Sequence, residues 1–234
     1  MKLLAFETAT EACSVAVWVD GEVRERFEVA PRRHAELALP WAGQLLAEAG
    51  IVKSQLDAIA VGRGPGAFTG VRLAIALAQG IALALDRPVV PVSTLAVLAM
   101  SAPTTRTRHV LAAIDARMGE VYSAAFARDG DGVVAMSEET VSRPDVVALQ
   151  EGVDAWFGIG TGFAAAEGAL QQRLQPRLAG VDAGALPHAS VLAGLAAIAF
   201  ANGGGLPPER AEPAYLRNNV ALTLAEQQAL RASR

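Results

Sequence analysis

The densest cluster of chemically suggestive residues is Gly62-Arg63-Gly64-Pro65-Gly66-Ala67-Phe68-Thr69-Gly70-Val71-Arg72, in which four glycines surround one proline. It lies between a short apolar run, Ala58 to Val61, and a helical pattern, Val71 to Leu85, so it reads as a strand-to-helix turn. Such a turn can hold a phosphate, because glycine lets main-chain N–H groups approach closely and a helix start attracts anions. The residues fit that reading poorly. Ala67 stands where a dinucleotide fingerprint needs glycine, no Gly-Lys-Ser/Thr follows, and Pro65 deletes one N–H. A tight structural turn or a protein-contact loop fits them better.

The remaining candidates are scattered. Glu7, Glu11, Asp115 and Glu120 fall beside predicted strand ends, where acids close turns as readily as they do chemistry. His34, His109 and His188 lie far apart, and none has a second His or Cys at metal-ligand spacing. Cys13 is the only cysteine, which rules out a disulfide framework and a thiolate cluster; its neighbours mark a small buried strand residue. Asp129 and Asp131 lack the later carboxylates of a calcium loop, so the stretch through Gly132 reads as a hairpin turn.

The elements that must position these residues follow from periodicity. With 234 residues, 52% of them hydrophobic and 19% charged, the chain can bury a sizeable core. A formal charge of −4 argues against stand-alone nucleic-acid binding, and the cluster Arg106, Arg108, His109 is too small to reverse it. The N-terminus reaches Glu7 after four apolar residues, too few for an export signal, and a cytoplasmic location is expected. Lys2 to Phe6, Cys13 to Val19 and Glu22 to Val29 predict a three-stranded antiparallel meander with its tight turn at Asp20-Gly21. A helix follows from about His34 to Ala49, with Leu37, Trp41, Leu45 and Glu48 on one face and a kink expected at Pro40.

Leu56 to Val61 is the next strand, and the glycine-rich loop leads from it into a second helix. There Val71, Ala74, Ile75, Ala78, Ile81, Ala82 and Leu85 share a face, with Leu73 and Leu77 widening it. Arg72 and Gln79 interrupt this apolar segment, so it reads as a helix of a core or an interface rather than a membrane span. Val89 to Val92 forms a strand, and Ser93 or Thr94 caps a helix to about Met100. The pattern is an α/β unit with a mixed sheet. Beyond a break at Ser101 to Arg108, a second unit opens with strands Val110 to Ile114 and Glu120 to Phe126. After it come a short helix opened by Pro144, a strand Ala155 to Ile159, a helix Phe163 to Leu174, an Ala/Leu helix capped by Ser190, and a capping box at Thr223 to Glu226.

Five motifs in order resemble one family. Phe6 to Ala16, Gly62 to Arg72, Val92-Ser93-Thr94-Leu95, Asp115 to Tyr122 and Pro213-Ala214-Tyr215-Leu216-Arg217 together look like the TsaB (YeaZ) family. The resemblance implies two actin-like half-domains of the acetate kinase, Hsp70 and actin class, placed here at 1–102 and 103–234. Glu7 replaces the aspartate, and Ala9 the glycine, that actin-like ATPases keep against the phosphates, while Asp115 opens the equivalent turn of the second half. It further implies a non-catalytic activator of TsaD, with TsaE completing a complex that transfers threonylcarbamoyl to the adenosine 3′ of the anticodon in tRNAs reading codons that begin with A. On that reading tRNA is met only through the complex, and no cofactor belongs to this chain alone, with room for a nucleotide at the TsaD junction. The partner face carries over to Leu37, Trp41, Leu45, Gly64, Gly66, Phe68, Val71, Arg72, Ala74, Ile75, Ala78 and Ile81, and would close a homodimer in TsaD's absence. A charge at Ile75 or Ala78 is expected to break association if those positions face the partner. The alternative is an enzyme in its own right, an actin-like ATPase or a glycoprotease.

Overall fold

Strict alternation of apolar side chains makes the first strand a two-faced core element. In the computed structural model, which describes residues 1–103 and 107–217, β1 (Lys2–Glu7) turns Leu4 and Phe6 to one side of the sheet and Leu3 and Ala5 to the other. It pairs antiparallel with β2 (Ala12–Val19), which pairs with β3 (Glu22–Val29), forming the expected meander. On its other edge β1 pairs parallel with β4 (Ala58–Gly62), and β4 with β5 (Val89–Val92), giving the order β3-β2-β1-β4-β5.

Two helices cover the Leu4 and Phe6 side. Helix α1 (His34–Glu48) runs through Pro40 and buries Ala38, Ala42, Leu45 and Leu46, so its core stripe is rotated one position from the predicted one. Leu37 and Trp41 flank it half-buried, and Glu48 faces out to Arg26. Helix α2 (Phe68–Leu85) buries Val71, Ala74, Ile75, Ala78 and Ala82 in the same layer.

The second sheet repeats the first. β6 (His109–Arg117) pairs antiparallel with β7 (Glu120–Asp129), which pairs with β8 (Gly132–Ala135); β6 also pairs parallel with β10 (Trp156–Ile159), and β10 with β11 (Leu178–Asp182). The order β8-β7-β6-β10-β11 is therefore that of the first sheet, and both halves are α/β as expected. Three elements depart from the sequence reading. Pro144 opens a turn, not a helix, and the strand before it, β9 (Thr140–Ser142), pairs with β7. Strand β11 lies between the helix read to Leu174 and the one capped by Ser190, where no element was expected. Helix α4 (Ala165–Leu174) has left-handed backbone at Ala166, Glu167 and Gly168. The capping box at 223–226 and Arg106 lie outside the described residues.

Strands up to β5 lie in the first sheet and those from β6 in the second, but the helices do not keep to that division. Helix α3 (Thr94–Ser101), whose N-cap Ser93 accepts a bond from Ala96 N, packs Leu95 and Leu98 against the second sheet. Helix α5 (Ala189–Ala201) returns to the first, packing Leu192, Ala193 and Ala196 on Leu3, Ala5 and Ala16. Ser190 is not its cap. The first amides of α5 are met from the sheet: Ala189 N donates to Ser14 Oγ at 2.8 Å and Ser190 N to Glu25 Oε1 at 3.1 Å. Glu25 also accepts from Ser14 Oγ at 2.6 Å and Ser190 Oγ at 2.9 Å, and meets His188 Nδ1 at 3.1 Å, while His188 stacks on Phe27 with centroids 4.1 Å apart.

Burial pushes the Glu25 carboxyl up, but the bonds from His188, Ser14 and Ser190 outweigh it and hold the pKa at about 2, below the ordinary 4.5. A depressed carboxyl stabilises the fold above its unfolded pKa, and that contribution drains as pH falls from 4.5 toward 2. Glu25→Gln is expected to lower stability at neutral pH by about 1–3 kcal/mol and to flatten the acid limb, as read by urea unfolding across that range.

Candidate functional site

The glycine-rich loop closes onto the turn that follows β1, and its glycines are there because nothing larger fits. A Cβ on Gly70 would lie 1.9 Å from the Thr8 carbonyl oxygen, and one on Gly66 2.2 Å from the Ala9 carbonyl oxygen. Across this contact Ala67 N donates to Ala9 O at 2.7 Å and Thr8 Oγ1 to Gly70 O at 2.7 Å. One amide at the start of α2, that of Ala67, is thus spent on the chain itself. The loop is a structural turn, as its residues suggested.

Beneath it sits Glu7, 1% exposed. Its Oε1 accepts from Ala9 N at 2.9 Å and its Oε2 from Thr94 Oγ1 at 3.1 Å, and a Cβ on Gly62 would lie 2.1 Å from Oε2. Desolvation raises its pKa from 4.5 to about 7, against the lowering pull of the bonds from Ala9, Thr94 and Thr8. Asp115 repeats the device more openly: its Oδ1 accepts from Arg117 N at 2.8 Å and its Oδ2 pairs with Arg117 Nη1 at 2.9 Å. Both acids close the turn after the first strand of their half. Sequence reading missed the companion of the glycine-rich loop, Gly158-Ile159-Gly160-Thr161-Gly162. A Cβ on Gly160 would lie 2.3 Å from the Ala113 carbonyl oxygen, and Thr161 Oγ1 accepts from Asp115 N at 3.2 Å. The signal was in the three alternate glycines.

Between the halves lies a cleft of about 500 Å³, lined by Glu11, His34, Phe68, Arg117, Tyr122 and Tyr215 among others. His34 Nε2 lies 3.0 Å from Thr10 O, and Glu120 is paired with Arg217. Cys13 is buried in β2, and burial, with the Glu28 carboxylate, pushes its thiol up to about 11, a structural rather than a nucleophilic setting.

The residues expected at a partner face fall into two groups. Leu45, Gly64, Val71, Ala74, Ile75 and Ala78 are buried within this chain, so a charge at Ile75 or Ala78 would disrupt its own core rather than report on association. Phe68 and Arg72 are exposed, and Leu37, Trp41, Gly66 and Ile81 half-buried. What α2 exposes is instead Phe68, Ala76, Gly80 and Leu83, with Phe68 55% and Leu83 63% exposed, while Leu73 and Leu77 are half-buried at the edge and Leu77 packs against the core. The helix is long and apolar enough to cross a membrane by length and composition, but its inner face is already packed on the sheet.

The family model for TsaD, tRNA N6-adenosine threonylcarbamoyltransferase, matches residues 28–222. The chain is 44% identical over 230 residues to the tRNA threonylcarbamoyladenosine biosynthesis protein TsaB of Escherichia coli strain K12, covering 94% of this chain and 96% of that one. The TsaB of Haemophilus influenzae is 39% identical over 229 residues, covering 94% and 95%. The solved structure of YeaZ from Pseudomonas aeruginosa superposes with a TM-score of 0.83 at 45% identity, covering 92% of this chain and 99% of that one.

Two outcomes are expected of the buried turn. Gly70→Ala should cost about 3 kcal/mol or prevent folding, because backbone rather than a flexible side chain blocks the new methyl. Between pH 4.5 and about 7 the folded chain keeps on Glu7 a proton that the unfolded chain has released, so stability falls as pH rises through that window. Glu7→Gln should remove this fall, measured as melting temperature against pH.

Proposed function

The chain belongs to the TsaB (YeaZ) family, and on that premise we propose that it is an accessory subunit that activates TsaD in forming N6-threonylcarbamoyladenosine in tRNA, without catalytic chemistry of its own. The observation that carries the reading is the outer face of α2. Its inner face is fully used in the core, yet exposed Ala76, Gly80 and Leu83, flanked by half-buried Leu73 and Leu77, continue the apolar surface outward. A helix apolar on both sides is the kind that hides its second side in another protein. Alanine and glycine at 76 and 80 let a second backbone come close. TsaD is the proposed occupant, with TsaE joining the complex, tRNA met through it and the whole acting in the cytoplasm. A nucleotide, if one is used, belongs to the junction with TsaD. In TsaD's absence a second copy of this chain is proposed to cover the same face.

Support for a non-catalytic role comes from the two turns that resemble phosphate-binding loops. In the first, the backbone is bonded to itself and the acid lies buried beneath it rather than open to a ligand.

The test is reconstitution. Mixed with TsaD, TsaE, the threonylcarbamoyl adenylate and tRNA, the chain should restore modification; no binding to TsaD and no restoration would sink the proposal. Ala76→Asp and Leu83→Asp should each weaken TsaD binding at least about tenfold in calorimetry while leaving the melting temperature nearly unchanged. Ile75→Asp, in the core, should lower the melting temperature instead.

A further inference from the structure

Residues 208–217 run along the first half and end on the second. On α2, Gln79 Nε2 donates to the carbonyls of Pro208 at 3.0 Å and Ala211 at 3.2 Å. Ala214 N donates to Arg63 O at 2.8 Å, beside the glycine-rich loop. Arg72 Nε then donates to the Tyr215 hydroxyl at 2.8 Å, with its guanidinium 3.5 Å above the Phe68 ring and 5.4 Å from the Tyr215 ring. Two residues later the chain has changed halves. Arg217 donates to Ala116 O at 3.2 Å and to the Glu120 carboxylate, and lies 3.7 Å from Met118 Sδ. Its targets are the turn between β6 and β7, whose left-handed Arg117 and Met118 give it a fixed shape.

We propose that Ala211–Arg217 is a clamp coupling the two halves: the grip of Arg217 on the β6–β7 turn and the Arg72–Tyr215 grip on the first turn of α2 form and release together. The physical ground is length. Only Leu216 separates the two grips, and two residues of chain reach at most about 7 Å. A shift of a few ångströms by either half cannot be absorbed by the backbone between them and falls on the two side-chain contacts. Pro213 to Arg217 also line the cleft, so the same segment that joins the halves forms part of the cavity between them. Arg63, whose carbonyl receives Ala214, itself pairs with Glu139 of the second half at 3.0 Å, so the first grip is seated on a residue that already faces across. Opening of the cleft therefore loosens the exposed start of α2, and fixing Phe68 and Arg72 tightens the cleft.

The full chain carrying Arg217→Ala tests this by amide hydrogen exchange. Peptides covering 67–73 in the first half and 114–122 in the second should both exchange at least about tenfold faster, the low end of what one charge-assisted hydrogen bond gives to a local opening equilibrium. Spin labels on Glu36→Cys and Asp145→Cys, both exposed, should report a broader distance distribution between the halves; the buried Cys13 is left unlabelled. Tyr215→Phe, which removes only a hydroxyl, should give the same paired change if Arg217→Ala folds poorly. Faster exchange confined to 211–217, or to one half alone, with an unchanged label distance, would overturn the coupling in either variant.

Discussion

The contact on which the structure rests is backbone against backbone: the turn Thr8–Ala9 pressed against Gly66 and Gly70. Everything near it is set by that closeness. The carbonyl oxygens of Thr8 and Ala9 occupy space where a β-carbon would have to go, so the loop can only be glycine there. Because the loop is drawn in, Glu7 is sealed from water, and its carboxyl is met by the amides of Thr8 and Ala9 and the Thr94 hydroxyl. Because α2 starts from this contact, the direction of the whole helix, and therefore of its outer apolar face, is fixed at its first turn. The contact is a joint that aims a helix.

Much of the fold was legible because the relevant signals are local. Continuous apolar, β-rich runs marked β1 and β2, Asp20-Gly21 marked the hairpin, and the glycine-to-helix transition marked β4 and α2. What escaped was held by distant partners. β9 and β11 are short outer strands with weak patterns of their own, recruited by pairing with β7 and β10. The cap of α5 was assigned to Ser190, the conventional residue type, whereas Ser14 and Glu25 do the capping from 175 and 165 residues away. No window of sequence contains that information.

The candidate face shows a different limit. Periodicity found that α2 is apolar along Val71, Ala74, Ile75 and Ala78, and that these residues share a side. It could not say which side looks inward, because Leu73, Leu77 and Leu83 make the opposite side apolar too. The sheet decides, and it takes the more regular stripe for itself. The same holds for α1, where alanines at 38 and 42 sit against the sheet and the larger Leu37 and Trp41 flank the contact. Small residues allow the helix to lie close; large ones fill the edges.

The crossing of helices between the sheets has a consequence for how the molecule comes into being. All five strands of the first sheet have been made by residue 92, but one of its two faces waits for α5, almost a hundred residues later in the chain. On a ribosome adding roughly 5–20 residues per second, that face stays bare for several seconds. For the first part of that time, until β6 and β7 follow, α3 has no second sheet to lie on. Neither half can therefore reach its final packing before the other is nearly whole, and the two actin-like units, which look separable on paper, are finished together.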